Sequence, residues 1–332
     1  MIHARQLSRT FLTRRGREKV EVNAVAGVDL DVAEGEIVGF LGPNGAGKST
    51  TLKMLTTLLR PTSGTATVAG YDVATEPVQV RRSIGYVSQS GSASSEARAG
   101  DELVDHALLY GIDRATATAR ARDLLSRFDL DGIWTRPGRS LSGGQRRRLD
   151  IAMGLVHQPK LIFLDEPTTG LDPQARANLW QHIAALRDRL GSTVFLTTHY
   201  LDEADALCDR IFVIDHGKII AADTPEALKS AVRGDLIELT LADPDRLGPA
   251  IERLRDVSGA VEIAAVETTV TARIPKAGAV LPGLLRDLDA DGIGLAAVEV
   301  RRPTLDDVFL TLTGHSLRDD AAPSPELEAA GV

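Results

Sequence analysis

Short apolar runs recur through the first two thirds of the chain, and each ends in glycine, an acid or a polar pair. Ile37-Val38-Gly39-Phe40-Leu41 is long enough for a buried strand. From Leu52 to Leu59 helix formers follow, with apolar residues at helical spacing, so the segment between them joins a strand to a helix. Leu161-Ile162-Phe163-Leu164 and Thr193-Val194-Phe195-Leu196-Thr197-Thr198 predict two more strands, and Tyr86-Val87 closes another. Residues Met1 to about Ala33 alternate instead, as in Val28-Asp29-Leu30-Asp31-Val32, and predict an antiparallel sheet. Between Gly100 and Phe128 the pattern is helical, with Leu103, Val104, Ala107 and Leu108 in phase. Strands alternating with helices predict a mostly parallel α/β core.

A second unit begins at Asp235. Leu236-Ile237-Glu238-Leu239-Thr240-Leu241 alternates as a strand, and a helix through Leu254 follows. Strands between Val261 and Ile274, a helix around Leu281 to Leu288, a strand from Leu295 to Val300 and a helix from Thr304 to Leu312 complete a βαββαβα order. That order predicts a small α+β domain of ferredoxin-like character. The boundaries expected are 1–233 for the first domain, with a helical subdomain at about 90–158, then 234–315, then a disordered tail at 316–332.

Composition narrows the function. The chain has 332 residues, 43% hydrophobic and 25% charged, as in an ordinary soluble globular protein. A net charge of −8 argues against broad nucleic-acid binding, so no nucleic-acid partner is expected. The basic run Arg146-Arg147-Arg148 is read against that charge as a solvated helix face. The single cysteine, Cys208, excludes an intramolecular disulfide, fits a reducing compartment and reads as a small buried apolar residue. No apolar run approaches the roughly 18 residues of a membrane span, and Met1 to Arg5 opens no secretory signal. Any membrane role is therefore expected through a partner.

The strand-to-helix junction reads Gly42-Pro43-Asn44-Gly45-Ala46-Gly47-Lys48-Ser49-Thr50, which fits G-x-x-x-x-G-K-[ST]. Its glycines let backbone N–H groups point at phosphate oxygens, and the helix N-terminus adds partial positive charge. Lys48 would reach the β- and γ-phosphates of ATP, and the Ser49 hydroxyl would ligate Mg²⁺. Asp165, ending the strand at 161–164, places a carboxylate beside this loop in a Mg²⁺-holding position. Glu166 follows it and can orient and polarise an attacking water as general base. A rarer segment, Leu141-Ser142-Gly143-Gly144-Gln145, opens a helix that Ser142 can cap, with glycine N–H groups available to an anion.

The two segments together, in this order, resemble the ATP-binding cassette family, the motor subunits of ABC transporters. The resemblance covers about residues 1–230. It implies an α/β fold: an ABC-type P-loop ATPase core with an antiparallel β subdomain and a helical subdomain, beside the small C-terminal α+β domain. It implies that Ser142, Gly143, Gly144 and Gln145 bind the γ-phosphate held by a second copy of the chain, two cassettes sandwiching two ATP molecules. His199 matches the family's switch histidine, and Gln89 its glutamine that touches Mg²⁺ and the attacking water. Asp172 falls in the family's segment Pro167-Thr168-Thr169-Gly170-Leu171-Asp172, beside the nucleotide. Phe11 falls where the family places an aromatic that stacks on adenine, ahead of a charged stretch, Arg14 to Lys19, read as an extended hairpin loop.

The ending Arg302-Pro303-Thr304-Leu305-Asp306-Asp307-Val308-Phe309-Leu310-Thr311-Leu312-Thr313-Gly314 resembles ATPase subunits of drug-resistance exporters of the daunorubicin type. Leu305, Val308, Phe309 and Leu312 give that helix an apolar face that either packs in its own domain or meets a partner. The resemblance implies a cytoplasmic subunit, peripheral on the cytoplasmic face of the membrane, whose partners are a second copy and an integral membrane permease. The stretch Ser90 to Gly100 is expected to face that permease. An importer ATPase, a DNA-repair cassette and a translation factor are the alternatives. DNA-repair cassettes carry a long coiled coil between the two motifs, and translation factors usually carry two cassettes; neither feature is present here.

Overall fold

The computed structural model describes residues 1–15 and 18–314, and the tail at 316–332 lies outside the described residues. Contacts divide the chain into two compact units, one from Met1 to Pro225 and one beginning at Glu226.

In the first unit β1 (Ile2–Arg15) and β2 (Glu18–Val32) form a long antiparallel hairpin. Strand backbone therefore continues to Arg15 and resumes at Glu18, where the sequence suggested a loop. Next come β3 (Ile37–Leu41), α1 (Lys48–Leu55), β4 (Ser63–Val68), β5 (Tyr71–Asp72), α2 (Pro77–Ser83) and β6 (Ile84–Val87). Then follow α3 (Ala99–Leu109), α4 (Arg114–Arg127), α5 (Gly143–Leu155), β7 (Leu161–Asp165), α6 (Pro173–Leu190), β8 (Thr193–Thr198), α7 (Leu201–Leu207), β9 (Arg210–Asp215) and β10 (Lys218–Asp223). Strands β2-β1-β4-β5 make an antiparallel sheet. Strands β10-β9-β3-β8-β7-β6 make the second sheet, parallel except for β10.

Every residue of β3, β7 and β8 is buried, which accounts for the apolar runs in each; the polar exceptions, Asp165 in β7 and Thr193, Thr197 and Thr198 in β8, are buried with them. One core joins the two sheets: Ile2, Leu7 and Leu30 from the first belong to the same cluster as Phe40, Phe163 and Phe195 from the second. Cys208 is buried as well; a Cβ on Gly39 would come within 2.6 Å of its sulfur, so the two positions are matched in size. No described helix is long and apolar enough to cross a membrane.

The second unit contains α8 (Pro225–Ala231), β11 (Asp235–Leu241), α9 (Leu247–Asp256), β12 (Val261–Val266), β13 (Thr269–Ile274), α10 (Ala277–Ala290), β14 (Leu295–Arg301) and α11 (Leu305–Thr313). Its sheet runs β12-β13-β11-β14, antiparallel throughout. That is the strand order of the ferredoxin-like βαββαβ unit. The inward face of β11, Ile237, Leu239 and Leu241, packs with Ala250 and Leu254 of α9 and Leu284 and Leu288 of α10. The division at Pro225 falls ahead of the boundary at 233 suggested by sequence, because contacts group α8 with the second unit.

Candidate active site

The phosphate loop leaves the C-terminal end of β3 in the middle of the parallel sheet, with β8 and β9 on either side. Two of its glycines are required by close backbone approach. A Cβ on Gly42 would come within 2.2 Å of the Ile214 carbonyl, and one on Gly47, at φ +103°, within 2.4 Å of the Ala24 carbonyl. The loop is braced by the β9–β10 turn: Gly217 N–H donates to the Ala46 carbonyl at 3.0 Å, and Ala26 N–H donates to the Gly217 carbonyl at 2.9 Å. Asn44 and Gly45 form the exposed tip, and Thr50 is buried in the first turn of α1.

Lys48 is 4% exposed. Its Nζ donates to the carbonyls of Gly42 (2.8 Å) and Pro43 (3.0 Å) and stands 3.6 Å from Glu166 Oε1. Burial pulls the Lys48 ammonium below its ordinary value, and the neighbouring Glu166 charge opposes that shift. Ser49 Oγ donates to Asp165 Oδ1 at 2.9 Å, and Thr197 Oγ1 donates to the same oxygen at 2.6 Å. Hydroxyl and carboxylate oxygens side by side are a hard-oxygen donor set that fits Mg²⁺, which takes its remaining ligands from phosphates and water. No described cluster of three or more acidic, histidine or cysteine side chains could hold a metal alone.

Glu166 is where the motifs meet. Its Oε2 accepts from Gln89 Nε2 at 2.9 Å and Thr169 Oγ1 at 3.1 Å, and lies 3.3 Å from His199 Nδ1. Its own N–H donates to Thr197 Oγ1 at 3.0 Å. Burial raises the Glu166 carboxyl, but His199 and the Lys48 charge outweigh it and leave it below its ordinary value. The backbone at Glu166 is left-handed, φ +43°, a conformation that costs a residue with a long side chain free energy.

Lys48, Ser49, Gln89, Asp165, Glu166 and His199 thus form one cluster. Other residues identified in the sequence lie outside it. Ser142 caps α5 in a capping box: Gln145 N–H donates to Ser142 Oγ at 3.2 Å and Ser142 N–H to Gln145 Oε1 at 3.1 Å. Ser142 and Gly143 are exposed, and Gly144 is half-buried, with space for a Cβ only 3.2 Å from that of Ala175. Asp172 is an exposed N-cap of α6, accepting from Ala175 N–H at 2.8 Å. Phe11 pairs with Val22 across the hairpin, two residues from the point where Ala24 touches Gly47, and Arg9 stacks on its ring at 4.7 Å.

Two contributors were not identified from the sequence. Thr197 serves both Asp165 and Glu166 from the strand that ends at His199. Arg147 corrects the expectation of a solvated face: it is 7% exposed and donates to backbone carbonyls of Ser88, Asp165 and Pro167. Its neighbours are engaged too, Arg146 with the Ala93 carbonyl and Arg148 with Asn178.

The family described as ABC transporter matches residues 25–169, and ATP-binding protein DrrA1-3-like, C-terminal domain, matches 224–313. The chain is 43% identical to the daunorubicin resistance ATP-binding protein DrrA3 of Streptomyces coeruleorubidus, over 93% of this chain and 98% of that one. It is 45% identical to the daunorubicin/doxorubicin resistance ATP-binding protein DrrA of Streptomyces peucetius, over 89% of each. A solved ATP-binding cassette, a dimer in a post-hydrolysis state bound to ADP and Pi, superposes with a TM-score of 0.61 at 27% identity, covering 68% of this chain and 98% of its own. The chain belongs to the ATP-binding subunits of ABC transporters, among the daunorubicin-resistance ATP-binding proteins, and is an ATPase.

Proposed function

We propose that two copies of this chain bind ATP and Mg²⁺ between them, hydrolyse ATP with Glu166 as the base, and so drive export through a separate integral membrane permease. The convergence of Lys48, Gln89, Thr169 and His199 on one carboxylate, directly after the Mg²⁺-compatible Ser49–Asp165 pair, carries this reading. Relatives named for daunorubicin, doxorubicin and linearmycin resistance support a cargo that is a drug-like or other hydrophobic compound. The chain then works at the cytoplasmic face of the membrane, with Ser90 to Gly100 toward the permease.

Lys48 would move its ammonium from the Gly42 and Pro43 carbonyls onto phosphate oxygens. Ser49 and Asp165 would hold Mg²⁺, which neutralises charge on those oxygens. Phosphoryl transfer has a loose transition state, so positioning matters more than base strength. A Glu166 carboxylate kept ionised, with Gln89 and His199 fixing its orientation, suits a group that aims and polarises water. His199 would pass from Glu166 to the γ-phosphate. Ser142 to Gln145, exposed at the start of α5, would supply N–H groups to nucleotide on the second copy, with Asp172 nearby. Phe11 would stack on adenine. Glu166→Gln should bind ATP normally, lose about 10²–10⁴ in turnover and collect as an ATP-bound dimer. Near-normal hydrolysis by this variant would remove Glu166 from the role.

A further inference from the structure

We infer that Arg147 is a positioning residue for Glu166: its guanidinium holds the left-handed backbone on both sides of the base and ties it to the loop that carries Gln89. Three facts meet here. Arg147 Nε donates to the Pro167 carbonyl at 2.7 Å, and Nη2 donates to the Asp165 carbonyl at 3.0 Å, so the side chain spans Glu166 from the residue before to the residue after. Nη1 donates to the Ser88 carbonyl at 2.6 Å, one residue ahead of Gln89. The peptide it spans is the one at φ +43°, which persists only where surrounding contacts determine it.

The chemistry favours this role over simple packing. A buried guanidinium is costly to desolvate, and among the described residues its donors go to carbonyls from two loops, the Glu166 carbonyl included at 3.4 Å, and to no carboxylate. A planar fork of five fixed donors can serve these four carbonyls at once, and the point charge of a lysine cannot. The same helix makes the tie rigid. Asp150, one turn after Arg146, accepts from Ser92 N–H (2.7 Å) and Ala93 N–H (2.8 Å), while Arg146 donates to the Ala93 carbonyl at 2.7 Å. Helix α5 therefore grips residues 88–93 with three side chains and the Asp165–Pro167 backbone with one. Two links therefore join that loop to the base: Gln89 bonds the Glu166 carboxylate directly, and the buried Arg147 holds the backbone on either side of it.

The inference rests on Glu166 being the base, so the test is a cycle in which the two can fail separately. Steady-state ATP hydrolysis by the full chain is measured for Arg147→Lys, Glu166→Gln and the double variant, with ATP affinity and melting temperature alongside. Arg147→Lys should lower kcat about 10- to 100-fold, the cost of misplacing a reacting group by a fraction of an ångström to an ångström, with KM for ATP within about threefold. In the Glu166→Gln background the same change should lower the residual rate by less than about twofold, because a residue acting through the carboxylate has nothing left to position. Arg147→Gln, which buries no charge, is the second variant and should behave alike. A loss that multiplies in full in the Glu166→Gln background, an unchanged kcat, or failure of both Arg147 variants to fold would each overturn the inference. Normal turnover by Glu166→Gln would instead overturn the assignment of the base.

Discussion

His157 lies flat on Tyr110, ring centroids 3.8 Å apart and planes 5° from parallel, with its Nε2 2.9 Å from the Ile84 carbonyl. That bond fixes the neutral tautomer with the proton on Nε2, and Nδ1 is buried without a partner. Charging the ring would put a second N–H where nothing accepts it. Burial accordingly pushes the imidazole down from 6.5 to about 4. The folded chain then holds fewer protons here than the unfolded chain in mild acid. The stability this group supplies is complete above its unfolded value near 6.5 and is lost as pH falls toward 4, up to about 3 kcal/mol over the window. His157→Phe keeps the stacking but gives up the bond to Ile84, so it should be about 1 kcal/mol less stable at pH 7.5. Its stability should then fall less steeply below pH 6.5, so that the two curves converge or cross. His106, also pushed down by burial, leaves a residual slope in both proteins. Urea unfolding between pH 4 and 7.5 measures this, and parallel curves would contradict it.

Among the elements, α11 shows how an ending that marks a subfamily does structural work. Thr304 caps the helix, and Asp307 closes the capping box, accepting from Thr304 N–H at 2.8 Å. The other oxygen of Asp307 takes the buried Arg273 of β13 at 2.5 Å, while Arg273 Nε reaches Glu262 at 2.8 Å. Leu305, Val308 and Phe309 are buried, whereas Leu310 and Leu312 are 48% and 44% exposed. Asp307→Ala removes a cap and half the charge compensation of a buried guanidinium, a change worth about 3–5 kcal/mol. Amide exchange across α11 in the full chain should speed up accordingly while ATP affinity stays unchanged; protected α11 amides in the variant would refute the anchoring role. The apolar spacing of this helix was legible in the sequence, but its destination was not. Periodicity locates a face and is silent about what covers it, and three of the four residues named proved to be core. The same limit explains Arg147. Three adjacent arginines read as solvent-facing because nothing local opposes it, yet the carbonyls that bury the middle one lie 59 residues upstream and 18 downstream. The strand–loop–helix arrangement around Gly42 to Thr50, by contrast, was legible because its pattern is local: strand, glycines, lysine and helix start lie in one short segment.

At the scale of the whole molecule, the residues expected to touch one nucleotide are split between a buried cluster and an exposed helix start. Ser142 bonds with Gln145, and among the described residues neither bonds to any residue of 42–50. A nucleotide held at Lys48 would meet the signature only if another copy supplied it, as the dimeric form of a related solved cassette suggests. On the proposed two-copy site, Ser142→Arg should therefore leave ATP binding to single chains within about twofold of normal and abolish hydrolysis, since the added bulk and charge would lie only where the copies meet. Lys48→Ala should damage the other half. In a mixed dimer one site combines both lesions, while the other joins an intact phosphate loop to an intact signature. Equal mixing makes half the dimers mixed, so hydrolysis should return to about a quarter of the normal rate if each site works alone. The measurement is ATP turnover by each variant and by the mixture, together with nucleotide affinity of the Ser142→Arg monomer. Loss of ATP binding by that monomer would put the signature in its own chain's pocket, and the two-copy site would have to be abandoned.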